Sequence, residues 1–429
     1  MVQWKKRRFF LMKRKCLYSI LLILSMLCTC LTGAVAEEQR KIFTDGDYQY
    51  AVLDDVSVEI VKYNGKAKKL TIPDMLDGKE VIALDNHAFS ACSSLLSVSI
   101  PDSVVQINEN PFSGCRNLKV IFISPEHPYY AVIDNVLFRK SDKTLVSYPA
   151  GKNMSTYCIP QGTVAIGNRA FAYCKSLTSI EIPDSVSFIG KGAFLDCSNL
   201  TSFSLSPNHP YLAVIDDVLF RKADKALISY PAGKETSTYY IPQGIAIIDD
   251  YAFFSCTTLS FISIPDSIST IGNFAFSSCS SLASISIPDS VTFIGEHSFS
   301  YCSALTSVSL SNSMTTISDN SFSWCKSLIA IFIPNSIVII GNWTFSGCKS
   351  LSSVVIPDSV AEIGEYAFSG CDALTSISLP NSVTAIGKNA FHGCPTLTLT
   401  VLRNSYSLNY AENNNIPYTY PDANDWLNN

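Results

Sequence analysis

The sequence predicts a repeat solenoid. The expected fold is leucine-rich-repeat-like: a right-handed coil of 23-residue repeats with a parallel β-sheet on one face. Short helical or 3-10 turns are expected elsewhere, with two hairpin inserts and a capping segment at each end. Three observations carry this. LSFISIPDSISTIGNFAFSSC, from Leu259 to Cys279, returns every 23 residues over most of the chain. A phenylalanine recurs at one place in each repeat, and a cysteine recurs three residues after it. A period of this size marks coils that cannot bury their apolar faces alone and must stack.

Within one coil, Leu259, Ile262 and Ile264 follow L-x-x-I-x-I, and the last two alternate as a strand with one buried face. Pro265 donates no hydrogen bond and ends the strand. Asp266 and Ser267 are turn formers. Ile268 and Ile271 point back inward. Gly272 is expected to take a positive φ at a sharp corner, where other coils carry Asn108, Asp249 and Ser318. Ala275, Phe276 and Cys279 close the coil.

The phenylalanine column runs Phe89, Phe112, Phe171, Phe194, Phe253, Phe276, Phe299, Phe322, Phe345, Phe368 and Phe391. Stacking would make it one apolar spine, each ring worth about 1.5–3 kcal/mol of transfer free energy. The matching cysteines run from Cys92 to Cys394. They have no C-x-x-C or Cys/His spacing, so they read as small buried thiols rather than zinc ligands. Stacked coils could also bring pairs of them within disulfide range.

At 429 residues the chain could hold two or three globular domains, but a solenoid grows without that limit. Apolar residues make up 47% and charged residues 16%, as suits turns that all feed one core. A net charge of −5 is too small to indicate nucleic acid or an anionic membrane. No nucleophile elbow, phosphate loop or His-Glu-x-x-His motif occurs, and no cofactor or metal is expected.

Taken in order, residues 1–36 read as a signal peptide. Lys5 to Lys15 is basic, Leu17–Leu31 is apolar, and Ala34-Val35-Ala36 precedes cleavage after Ala36. The expected location is secreted or cell-surface, with no transmembrane segment in the mature chain. Residues 37–72 read as an N-terminal β cap of three short strands, with turns at Asp54-Asp55 and Asn64-Gly65. Residues 73–400 are the solenoid. Two near-identical inserts interrupt it at about 124–158 and about 206–240, 82 residues apart, each containing V-L-F-R-K and a β-hairpin pattern. Residues 401–429 form a C-terminal cap: a short helix in SYSLNYAENN, a closing strand in IPYTY, and Trp426 over apolar surface.

The pattern IPDSV-x-x-IG-x-x-AF-x-x-C-x-x-L is similar to the BspA-like leucine-rich repeat family of bacterial secreted and cell-surface proteins. The V-L-F-R-K…Y-P-A-G-K inserts and the SYSLNYAENNNIPYTY tail resemble that family too. The resemblance implies a solenoid acting in adhesion or protein binding, and it brings no catalytic residues.

A solenoid binds with the outward positions of its strands. Here these are mostly serines, with Phe122, Phe261 and Phe332 as aromatic exceptions. They read either as binding anchors or as cross-strand packing. In the inserts, Arg139 and Lys140 recur as Arg221 and Lys222, reading either as contacts for an acidic partner or as solubilising edge residues. His127 and His209 occupy matching turn sites. The expected function is non-enzymatic binding of an extracellular or host-surface protein. The alternatives are a glycan-binding protein or a self-associating structural protein of the cell envelope.

Overall fold

A computed structural model describes residues 40–421. The predicted leader with its Ala36 boundary, and Trp426, lie outside the described residues. The chain divides at Phe43–Thr44 into a short N-terminal unit and the solenoid unit. Of the first, only residues 40–43 are described.

The L-x-x-I-x-I segments form three-residue strands that pair in parallel with the same segment of the next coil. Ser284–Ser286 against Ser307–Ser309 is typical. A second, narrower ladder was not foreseen. The I-x-x-I-G segments form two-residue strands, and Ile339–Ile340, Glu362–Ile363 and Ala385–Ile386 pair in succession. Each coil therefore has two strand sides. The isoleucines alternate inward from both, giving a continuous core of Ile285, Ile294, Phe299, Cys302 and their equivalents.

The third side is a turn built around the column phenylalanine, and its backbone is unusual. Alternate N–H groups bond within the turn or to the next coil. Ala172 N donates to Arg169 O and Cys174 N to Phe171 O, while Arg169, Phe171 and Tyr173 donate to Lys191, Ala193 and Leu195 of the next coil. This rail demands left-handed residues two before and two after the phenylalanine, and non-glycine side chains supply most of them: Tyr251 has φ 63° and Phe274 φ 56°. Such conformations cost energy outside glycine. Three inter-coil hydrogen bonds per turn offset that cost.

Gly272 therefore serves a different purpose from the expected one. Its φ is not in the left-handed region. A Cβ there would lie 2.6 Å from Asp250 N in the preceding coil. Close approach of two backbones, not torsional freedom, requires the glycine. The residue after it ties the coils together: Asp250 Oδ1 accepts from Asn273 N at 2.8 Å, and Asn273 Oδ1 from Glu296 N at 2.8 Å.

The phenylalanine spine is continuous from Phe253 to Phe391, with ring centroids 4.9–5.8 Å apart. Tyrosines extend it at every irregular coil. Tyr63 stacks on Phe89, Tyr148 on Phe171, Tyr230 on Phe253, and Tyr410 closes on Phe391. The tyrosines of the inserts show what the inserts are. Each is one coil with an excursion. Tyr130–Ile133 and Val136–Arg139 form an antiparallel pair, and Thr144–Ser147 then joins the narrow ladder beside Ala165–Ile166. The second insert repeats this with Ala226–Ser229 beside Ile247–Ile248.

At the N-terminus, Tyr48–Asp54 and Ser57–Tyr63 form the hairpin expected at Asp54-Asp55. No hairpin forms at Asn64-Gly65. Lys69–Thr71 pairs in parallel with Ser97–Ser99 instead, because Leu70-Thr71-Ile72-Pro73 is already a copy of the I-x-I-P strand. At the C-terminus, the helix Tyr406–Asn413 starts at Ser405, whose hydroxyl accepts from Leu408 N at 3.1 Å. Tyr418–Thr419 adds the closing strand to Thr398–Thr400.

The twelve described cysteines are free. Most sit in the spine's slot and donate to the carbonyl of the phenylalanine one coil back, as Cys279 does to Phe253 O at 3.0 Å. Burial pushes the Cys279 thiol up to about 12, so it stays protonated at any physiological pH.

Four outcomes follow. Phe299→Ala should cost about 3–5 kcal/mol in urea unfolding, because stacked coils cannot collapse onto the cavity. Tyr230→Phe should cost about 1 kcal/mol by losing the 2.6 Å bond between its hydroxyl and that of Thr236. Tyr148→Phe should be neutral or stabilising, since the Tyr148 hydroxyl is buried with no partner among the described residues. In a thiol-labelling time course, Cys158 should react first, as the exposed member of the described set.

Candidate functional site

The outward positions of the three-residue strands make a face with few charges. Around coils 261–309 it is a shallow trough of about 650 Å³ floored by Ser263, Ser284, Ser286, Ser307 and Ser309. Apolar groups stand at both ends. Phe332 and Val355 pair directly across adjacent strands and are 68% and 63% exposed. Tyr240 is 69% exposed, and its ring lies 5.9 Å from that of Phe261. Phe261 itself is 41% exposed, so Tyr240 covers part of it. Phe122 is exposed on the same face but pairs with Ser99, without an apolar cross-strand partner.

The three phenylalanines are thus not equivalent. Phe332 and Phe261 belong to two-residue apolar islands, and Phe122 stands alone. Tyr240 and Val355 complete these islands and escaped the sequence reading. The pairings that reveal them are the one-coil offset from Phe332 to Val355 and the adjacency of Tyr240 to Phe261.

The basic residues of the inserts are held within the protein. Arg139 donates twice from Nε to the Asp142 carboxylate at 3.1 Å and from Nη1 to Ile107 O at 3.1 Å. Lys140 Nζ donates to His127 O at 2.7 Å. In the second copy Arg221 binds Asp224 and Asp249 at 2.8 and 3.0 Å, and these hydrogen-bonded carboxylates hold its pKa above the usual arginine value. Lys222 Nζ donates to His209 O at 2.5 Å. The pattern recurs because each pair locks an excursion onto its coil.

His127 and His209 are fully buried at the start of each excursion. Nδ1 of each accepts from two successive backbone N–H groups, those of Tyr129 and Tyr130 and those of Tyr211 and Leu212. They are turn-forming acceptors. Cys158, on the strand face, donates to Glu181 Oε2 at 3.0 Å, and that carboxylate raises the thiol's pKa. Among the described residues no cluster of three or more His, Cys, Asp or Glu could hold a metal.

A second aromatic array lies on the turn side, at the left-handed residues. Tyr251, Phe274 and His297 stack in sequence at 5.0 and 4.5 Å, and Trp343 stacks on Tyr366 at 4.0 Å. Their faces cover one another, which leaves mainly edges toward solvent. This column, two residues before each phenylalanine, was legible in the sequence only by reading the variable position coil by coil.

Two narrow parallel ladders, a hydrogen-bonded turn rail and a buried aromatic spine define a β-solenoid of leucine-rich coils. The family model described as a BspA type leucine rich repeat region, in six copies, matches residues 60–149, 147–230, 228–349 and 315–416. The chain belongs to this BspA-type leucine-rich repeat family. A leucine-rich repeat protein from Eubacterium ventriosum is similar at 24% identity over 81% of this chain and 93% of that one, with a TM-score of 0.58. A leucine-rich repeat protein from Bacteroides ovatus is 23% identical over 88% of this chain and 99% of that one, with a TM-score of 0.43. A leucine rich cell surface protein from Faecalibacterium prausnitzii is 27% identical over 82% and 96%, with a TM-score of 0.41. The likeness to the Eubacterium protein is one of fold. No protein of curated function matches the sequence. No helix among the described residues is long and apolar enough to cross a membrane.

Buried His127 gives a pH prediction. Burial, the largest influence, lowers the His127 pKa from its usual 6.5, with Lys140 acting in the same direction and Asp102 opposing. The unfolded chain then binds the proton more readily than the folded one. This contribution to stability is complete above pH 6.5 and is lost as the pH falls below it. Melting curves from pH 7.5 to 5 should show a steeper loss for the wild type than for His127→Gln.

Proposed function

We propose that this is a secreted or cell-surface, non-enzymatic protein that binds another protein through the strand face, in the manner of an adhesin. The observation that carries the reading is the Phe332–Val355 pair, two large apolar side chains mostly exposed and adjacent on a face made mostly of serines. Exposed aromatic and aliphatic groups at the centre of a polar surface are the usual energetic anchors of protein interfaces. The serine-floored trough beside it offers hydroxyls that pair with a partner's backbone at little desolvation cost. The basic residues of the inserts serve the fold in this reading and the partner contributes no acidic patch. The location rests on the N-terminal leader pattern and on family membership.

The test is a binding screen of the full chain against extracellular-matrix proteins and intact cells at two salt concentrations. A protein ligand should be retained at high salt, and Phe332→Ser with Val355→Ser should weaken it more than tenfold while leaving the melting temperature unchanged. Loss of binding in salt with no effect of the double variant would overturn the assignment. Concentration-dependent assembly in light scattering, abolished by the same variant, would replace it with self-association.

A further inference from the structure

The first insert creates a second, chemically distinct site on the turn side. There, residues 59 apart in sequence meet directly. Asn110 Nδ2 donates to Arg169 O at 2.9 Å, and Asn168 Nδ2 to Glu109 Oε1 at 2.9 Å. At this seam lies a cavity of about 480 Å³, lined among others by Arg116, Arg169, His87, Tyr173, Ser90 and Ser113. That volume lies within the range of small-molecule sites. Ala91 and Gly114 fall where Tyr173 stands in a later coil, and these small residues leave the space open.

Each of the two guanidinium groups forms one long ion pair and is otherwise held by aromatic or imidazole neighbours. Arg116 lies over the Tyr173 ring at 5.0 Å and is 3.5 Å from Asp196. Arg169 donates from Nη2 to Tyr251 Oη at 3.2 Å, has Nη1 3.3 Å from His87 Nε2, and is 3.7 Å from Glu109. Both carboxylate distances exceed a hydrogen bond. Neither carboxylate lines the cavity. The wall therefore presents two cations, an imidazole, hydroxyls and an aromatic ring.

The duplication supplies an internal comparison. At the second seam, 82 residues on, Ser198 and Tyr251 replace Arg116 and Arg169. There Tyr251 lies against Gly192, and Lys191 binds Asp250 at 2.8 Å. The architecture is repeated and the two arginines are not, so the coil geometry alone does not require them.

We propose that the first-seam cavity binds one acidic sugar residue of a glycan, through its carboxylate. A guanidinium fork matches a carboxylate's two oxygens, and the cavity wall carries two such groups. Ser90, Ser93 and Ser113 suit the ring hydroxyls, and Tyr173 offers an aromatic wall. A sugar is favoured over an acidic peptide because a space of about 480 Å³ suits one compact unit and three serine hydroxyls line it. This site is independent of the strand face.

The experiment is calorimetry on the full chain with 3′-sialyllactose, a glucuronate-terminated disaccharide, lactose and triglutamate. One or both acidic glycans should bind, and which one does identifies the sugar. Lactose should not bind, and triglutamate should bind at least tenfold more weakly. Arg116→Gln and Arg169→Gln should each weaken binding at least tenfold with unchanged melting. Ser90→Leu, at the exposed rim, should do the same by occlusion and serves if an arginine variant fails to fold. Phe332→Ser should have no effect. Failure of both acidic glycans to bind would overturn the assignment. So would binding that survives the arginine and Ser90 variants, or triglutamate binding as tightly as the glycan.

Discussion

A single coil of this protein has nothing to bury its phenylalanine against. Stacking one coil on the next is the constraint from which the rest follows. It sets the period, because every coil must return its strand, its phenylalanine and its cysteine to the same place. It also explains the glycines. At Gly272 the preceding backbone passes where a Cβ would stand, so the residue is small because the neighbour is close. The cysteine column answers the same demand: a thiol is small enough for the slot and adds a second hydrogen bond to the Phe253 carbonyl, which already accepts from Cys256 N. Each of these groups interacts chiefly with the coil next door.

Much of this was legible in the sequence. L-x-x-I-x-I and the proline after it marked the wide ladder, and Phe276 marked the spine. The narrow ladder was missed because Thr270-Ile271 is too short to show alternation, and pairing with neighbouring coils makes it a strand. The left-handed rail was missed for a related reason. Tyr251, Phe274 and Trp343 are residues that rarely adopt φ above zero, and only inter-coil hydrogen bonding holds them there. Lys69–Thr71 was read with its sequence neighbours when its true partner lay one coil away.

The candidate sites divide along the same line. Phe332 was visible as an aromatic in a serine row. Its pairing with Val355, which makes it part of a patch, is a matter of register. The basic residues of the inserts looked available because their recurrence was visible and their carboxylate and carbonyl partners were not. Arg116 and Arg169 drew no notice, since they occupy variable positions of different coils and share a cavity wall only in the folded stack. Information about surfaces in a solenoid lies in columns, and a column is read across coils.

The turn rail also gives the stack a direction. Every rail bond runs from an N–H of one coil to a carbonyl of the following coil, as from Phe276 to Ser298 and from Phe368 to Ala390. The peptide dipoles of this side therefore add along the axis, much as they do along a helix. The rail is interrupted at Phe112, whose N–H turns to Asn110 Oδ1, and at Phe194. Its longest array therefore runs from Tyr230 to Phe391, with the positive pole where the last donors emerge, around Phe391, and the negative pole near Tyr230. The two ends of that run are thus electrostatically opposite before any side chain is counted. The spine, which is only apolar, treats both ends alike.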